Sequence, residues 1–115
     1  MFKAIAFLTR RPDLSHDEFV EHYENVHAKL NRDLLPQIIG YRRNYLDHSS
    51  ALLSGPGLEL DFDVVTEFTF EDRAAYEAML ATHAQPGVGS VLDADEENLF
   101  DRSRIRMYTV EVADS

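Results

Sequence analysis

The sequence predicts an α+β domain in which a four-stranded antiparallel sheet carries its helices on one face. Three observations predict it. Four short apolar-rich runs alternate with two stretches of helical period in the order β-α-β-β-α-(α)-β. Turn signals built on proline, glycine or paired charges separate the runs. The whole is 115 residues long with 44% hydrophobic and 28% charged residues, a single soluble globular domain spanning 1–115.

The first strand, residues 2–9 (FKAIAFLT), is almost wholly apolar and reads as buried on both faces. Arg10, Arg11 and Pro12 end it. The first helix, residues 15–30, opens on Ser15 as N-cap, with Glu18 completing a capping box and Asp17 favouring the helix dipole. At roughly 100° per residue, Phe19, Tyr23, Val26 and Leu30 share one arc that must be buried. His27 falls at the border of that arc, where an imidazole touches an enclosed space and still titrates. A structural histidine bonded to a neighbour is the competing explanation. Leu34 and Leu35 extend the helical pattern, and Pro36 opposes it.

The second strand, residues 38–47, puts Ile39, Tyr41, Arg43 and Tyr45 on one parity and is cleanly apolar on neither. Such a strand lines a polar pocket or an interface. Residues 48–62 form a connection of about 15 residues with Gly55-Pro56-Gly57 at its tip, longer than an ordinary hairpin. The third strand, 63–70, alternates Val64, Thr66, Phe68 and Phe70 against Val65, Glu67 and Thr69. A second helix, 71–83, turns Ala75, Met79 and Leu80 inward with Tyr76 beside them, and Gln85-Pro86-Gly87 stops it. Val88, Val91 and Leu92 pack a short segment. Asp93 and Glu96 suggest a capping box opening a further short helix that ends at Leu99 and Phe100. Residues 104–112 form the last strand.

This order is the split βαβ of ferredoxin-like folds. Its strands carry too many apolar residues for a sheet with one wet face. Ile5, Phe7, Val65, Ile105 and Met107 read as a second apolar parity. A homodimer that packs open sheet face against open sheet face covers it.

Composition narrows the chemistry. The absence of cysteine removes disulfides, thiolate catalysis and Cys-ligated metals, and a small domain without staples suits the cytoplasm. A formal charge of −10 disfavours nucleic acid and anionic membranes as partners. No apolar run approaches the roughly 20 residues of a membrane span. His22 and His27 are five apart, about 140° around an α-helix, so they make a poor metal pair, and no metal site is expected. Phosphate-binding loops and the nucleophile elbow are missing. Glu67 is a lone carboxylate in an apolar strand. Burial would raise its pKa and make it a base, whereas an ion pair with Arg43 or Arg106, or exposure, would not. Tyr23 and Tyr45 offer aromatic surfaces to a ring compound, or simply core.

FVEHYENVHAKL at 19–30, DADEENLFDRSR at 93–104 and the strand–RRPDLS–helix pattern resemble the EthD family of the dimeric α+β barrel superfamily. The likeness runs over nearly the whole chain. It departs at Tyr23, where relatives often carry Trp, and at Ala28-Lys29, where they carry Gly-Pro or Ala-Pro. Without that proline the helix is free to run on past His27. The resemblance implies the fold and the dimer more strongly than a reaction, since the superfamily hosts cyclases, isomerases, monooxygenases and haem proteins. It places a pocket-facing proton shuttle at His27 and an oxygen-holding tyrosine at Tyr41.

The resulting expectation is a cofactor-free enzyme that isomerises, cyclises or dehydrates a small hydrophobic ring compound. His27, Tyr41 and Glu67 are its catalytic candidates, and Tyr23, Arg43 and Tyr45 its binding candidates. One alternative is a non-catalytic binding or accessory protein of a catabolic operon. Another is a haem protein ligated by His27 or His83. The enzyme reading asks that His27 line an enclosed cavity of at least roughly 300 Å³ shared with Tyr41.

Overall fold

A computed structural model describes residues 1–56 and 62–115. Its sheet contains β1 (Phe2–Leu8), β2 (Gly40–Tyr45), β3 (Val64–Phe70) and β4 (Arg106–Val110) in the order β2-β3-β1-β4. Every neighbouring pair is antiparallel. The ferredoxin-like expectation holds. The strands are shorter than predicted, because Ile38, Ile39 and Leu46 sit beyond the ladder ends.

Alternation in β1 and β3 decides which face is covered. Ala4, Ala6 and Leu8 of β1 and Val64, Thr66, Phe68 and Phe70 of β3 are buried. Ile5, Phe7 and Val65 point the other way and are only half-buried. β1 is therefore not buried on both faces within one chain. Met107 pairs with Ala6, so it lies on the helix-covered face and not on the open one. Ile105 precedes β4 and packs against the same core. Tyr108 belongs to the open face, where its ring meets Phe7 at 6.1 Å.

The first helical stretch starts as the sequence predicts. Ser15 caps α1 (His16–His22), and the capping box with Glu18 is complete. The helix then passes without a break through one π-helical turn (Tyr23–His27) into α2 (Ala28–Leu34). It runs on past residue 30, as the missing proline allows. The π turn is closed by the Ala28 N–H donating to the Tyr23 carbonyl five residues back. One extra residue in the turn shifts every later side chain. The predicted arc of Phe19, Tyr23, Val26 and Leu30 becomes Phe19, Tyr23, His27 and Asn31, with Ala28 beside them. Val26 is left 39% exposed and His27 only 3%.

α3 (Arg73–His83) is capped by Asp72, whose side chain accepts the Ala75 N–H. Met79 is its buried residue, and Leu80 stays largely exposed. α4 (Gly89–Leu99) begins four residues before the capping box read at Asp93. Gly89 makes this start possible, because a Cβ there would collide with the His83 carbonyl. The early start turns Asp95 and Leu92 inward together. A core of Phe19, Tyr23, Phe70, Leu92, Leu99 and Phe100 fills the space between sheet and helices. Each fully buried aliphatic or Phe side chain in it contributes roughly 1.5–3 kcal/mol. A short 3-10 turn (His48–Ser50) starts the long connection, whose residues 57–61 lie outside the described part.

Candidate functional site

The π turn and α4 build the site together. On a regular α-helix His22 and His27 would diverge. Across a turn with one extra residue they reach the same carboxylate. His22 Nε2 lies 2.8 Å from Asp95 Oδ1, and His27 Nδ1 lies 2.9 Å from Asp95 Oδ2. Asp95 is 8% exposed, and its two oxygens accept from the two rings. His22 is the solvent-side ring, about a third exposed. The nitrogens point at the carboxylate and not at a shared centre. Among the described residues no His, Asp or Glu group is arranged to hold a metal ion.

The bond to Asp95 fixes the His27 tautomer. A carboxylate only accepts, so Nδ1 carries the proton and Nε2 keeps a lone pair. Burial pushes the His27 pKa below its ordinary value, and the Asp95 bond opposes that shift. The ring is held edge-on between Tyr23 and Phe100, with centroids at 5.5 and 5.4 Å. A neutral imidazole with a bare Nε2 is the form a general base needs.

His27 lines a cavity of about 250 Å³ between the sheet and the helices. Its walls are mostly apolar, with Leu35, Ile38, Phe68, Met79 and Leu92 among them. Asn31, His83 and Glu96 add polar atoms. The volume falls short of the roughly 300 Å³ expected of a small-molecule pocket. Burial, reinforced by Asp93, raises the Glu96 pKa, against the pull of Arg102 and His83.

Tyr41 does not line this cavity. Its hydroxyl sits within a relay inside the core: Asn31 Nδ2 donates to Tyr41 at 2.9 Å, Tyr41 donates to Tyr23 at 3.1 Å, and Tyr23 and Thr66 share a bond of 2.9 Å in which either hydroxyl can donate. Burial raises the pKa of both tyrosines. Arg43 and Tyr45 converge on Glu24 and not on a ligand space. Arg43 clasps Glu24 through Nε and Nη2, both at 2.8 Å, and Tyr45 donates to it at 2.6 Å. The guanidinium beside Glu24 holds that carboxyl down at about 2.

Glu67 needs correction. It stands on the open sheet face, opposite in parity to Thr66 and Phe68, and so on the other side of the sheet from His27. Asn44 donates to it at 2.9 Å and Lys3 pairs with it at 3.2 Å. These partners lower its pKa, whereas the sequence suggested burial raising it. The partner is also neither Arg43 nor Arg106. Of the catalytic and binding candidates, then, His27 and Tyr23 reach the cavity, as does His83, the other haem-ligand candidate. Asp95, Glu96 and Asn31 were missed. Asp95 and Glu96 were present in the DADEE run but read as a helix start.

The comparisons bear on fold and family. A search of curated proteins gives no match. Among solved structures, an ethyl tert-butyl ether d (EthD) family protein of Bacillus halodurans is 18% identical, with a TM-score of 0.64 over 98% of this chain and 100% of that one. HapK of Hahella chejuensis is 17% identical, with a TM-score of 0.63 over 100% and 95%. A dimeric ferredoxin-like protein of unknown function from Thermobifida fusca is 14% identical, with a TM-score of 0.58 over 96% and 90%. At these identities the likeness shows the fold. The EthD domain model matches residues 11–103, a span that takes in the π turn, Asp95 and most of the cavity lining, and the chain belongs to the EthD family.

Proposed function

We propose that the protein is a cofactor-free enzyme that moves a proton on a small hydrophobic ring compound, with His27 as the general base. One observation carries this reading: a buried imidazole, oriented by Asp95, lines a mostly apolar cavity. His27 Nε2 takes the proton, and the Asp95 carboxylate stabilises the imidazolium that forms. Base-initiated isomerisation, cyclisation and dehydration begin with such a step. Tyr41 supports it from behind by fixing Tyr23 and Asn31, not by touching the substrate. The haem alternative is less well supported, because a porphyrin needs more room than the cavity gives. The working unit is a homodimer joined through the open sheet face. Its support is the half-buried apolar set on that face, and several structural neighbours are described as dimeric.

The test needs no known product. Enolisable ring ketones and phenols are incubated with the protein in D2O, and deuterium uptake at carbon is followed by NMR. The expected result is exchange that His27→Ala slows by roughly 10²- to 10⁴-fold. Equal exchange by wild type and His27→Ala removes His27 as the base. Saturable binding with no exchange in any compound favours a binding protein.

A further inference from the structure

The hydrogen-bonding capacity left in the cavity is lopsided. His27 has given its Nδ1 proton to Asp95 and offers only a lone pair at Nε2. Tyr23 spends its hydroxyl within the core, accepting from Tyr41 and sharing a hydrogen bond with Thr66 in which either oxygen can donate. Asn31 has committed one N–H to Tyr41. Glu96 contributes carboxylate oxygens. The donors left in the lining are the second N–H of Asn31 and one ring N–H of His83. No lysine or arginine is among the described lining residues.

Charge leans the same way. Asp95 lies directly behind His27, and Glu96 follows it in α4. Arg102 approaches Glu96 at 3.6 Å but is shared with Asp93 at 3.6 Å and Glu97 at 3.3 Å. Arg102 is thus one guanidinium shared by three carboxylates, of which Glu96 lines the cavity. A carboxylate entering apolar walls would lose its hydration and meet no lysine or arginine among the described lining residues.

We propose that the His27 cavity selects uncharged ring compounds bearing a hydroxyl or similar donor, and turns carboxylates away through Glu96. The selection rests on the cavity being a ligand site, as the functional reading holds, but not on any turnover there. The donor group of the ligand meets His27 Nε2, the atom that would accept its proton.

Three probes with one ring system test it: 2-naphthol, 2-methoxynaphthalene and 2-naphthoate, titrated at pH 7 by calorimetry or ligand-observed NMR. The naphthol is expected to bind at least about tenfold more tightly than either of the others, a margin of one hydrogen bond or one unpaired charge. Methoxynaphthalene binding as tightly as naphthol overturns the donor rule. Naphthoate binding as tightly overturns the charge rule. Failure of all three to saturate overturns the site itself. Glu96→Gln, checked for folding by circular dichroism, is expected to raise naphthoate affinity and leave methoxynaphthalene unchanged. An unchanged naphthoate affinity removes Glu96 as the selector. Naphthol binding as expected without deuterium exchange anywhere would sink the catalytic reading alone.

Discussion

Asp95 is the residue on which the site turns. Two imidazoles share its two oxygens, and the buried one depends on it most. Burial lowers the His27 pKa, and the bond to Asp95 works in the opposite direction. Asp95→Asn removes that opposition, so His27 is expected to titrate lower still. Its ring-proton chemical shift followed against pH checks this, and an unmoved titration would show that Asp95 does not tune the ring. The sign for stability follows from linkage. As pH falls below about 6.5, the unfolded chain takes up a proton that folded His27 resists, so stability falls there, and the window extends to lower pH in Asp95→Asn. Sequence alone could not supply this partner. Asp95 is 68 positions from His27, and its own neighbourhood, D-A-D-E-E, is as good a helix start as a helix middle. Glu67 misled for a related reason. Parity shows that it opposes Phe68, but not which face the helices cover.

At the scale of the element, the π turn explains what was legible and what was not. The capping box, the apolar period through Tyr23 and the continuation past residue 30 were readable, because they follow local rules. One extra residue then moved the buried set from Val26 and Leu30 to His27 and Asn31. Local propensity has no signal for that, since the choice is made by what the far side of the helix must touch. His27 gains Asp95, Tyr23 and Phe100 by being inside. The extra residue lies between two fixed flanks, so its removal is expected to be tolerated. Deleting exposed Asn25 restores α spacing, with Phe19, Tyr23, His27 and Asn31 still inward. The melting temperature is expected to hold or rise. Deleting exposed Lys29 instead turns Asn31 and the rest of α2 by about 100° and lowers it. Equal losses from the two deletions would show that the π turn is not a free insertion.

At the scale of the whole molecule, helices seal one sheet face, and no described helix covers the other, where Phe62 of the long connection meets Phe7 at 5.3 Å. Ile5, Phe7, Val65 and Tyr108 lie on this open face, half-buried or exposed, with Lys3, Arg42 and Glu67 around them. The sequence showed the surplus of apolar positions but misassigned Met107, which faces the helices and borders the cavity. A face with an apolar centre and a charged rim has the anatomy of an interface, and a stable one needs roughly 800 Å² from each partner. Sedimentation equilibrium at micromolar concentration is expected to give a dimer of twice 13.2 kDa. Ile5→Glu sets a carboxylate at the middle of the face, next to Glu67 in register. It is expected to give a monomer with native circular dichroism, because Ile5 supports no helix packing within its own chain. A wild-type monomer, or an Ile5→Glu dimer, would mean that the apolar centre of this face is not what joins the subunits. The cavity lies on the other side of the sheet, so the monomeric variant is expected to keep its naphthol affinity. A large loss would mean that the dimer holds the sheet, and with it the cavity wall at Ala6 and Phe68, in its binding shape.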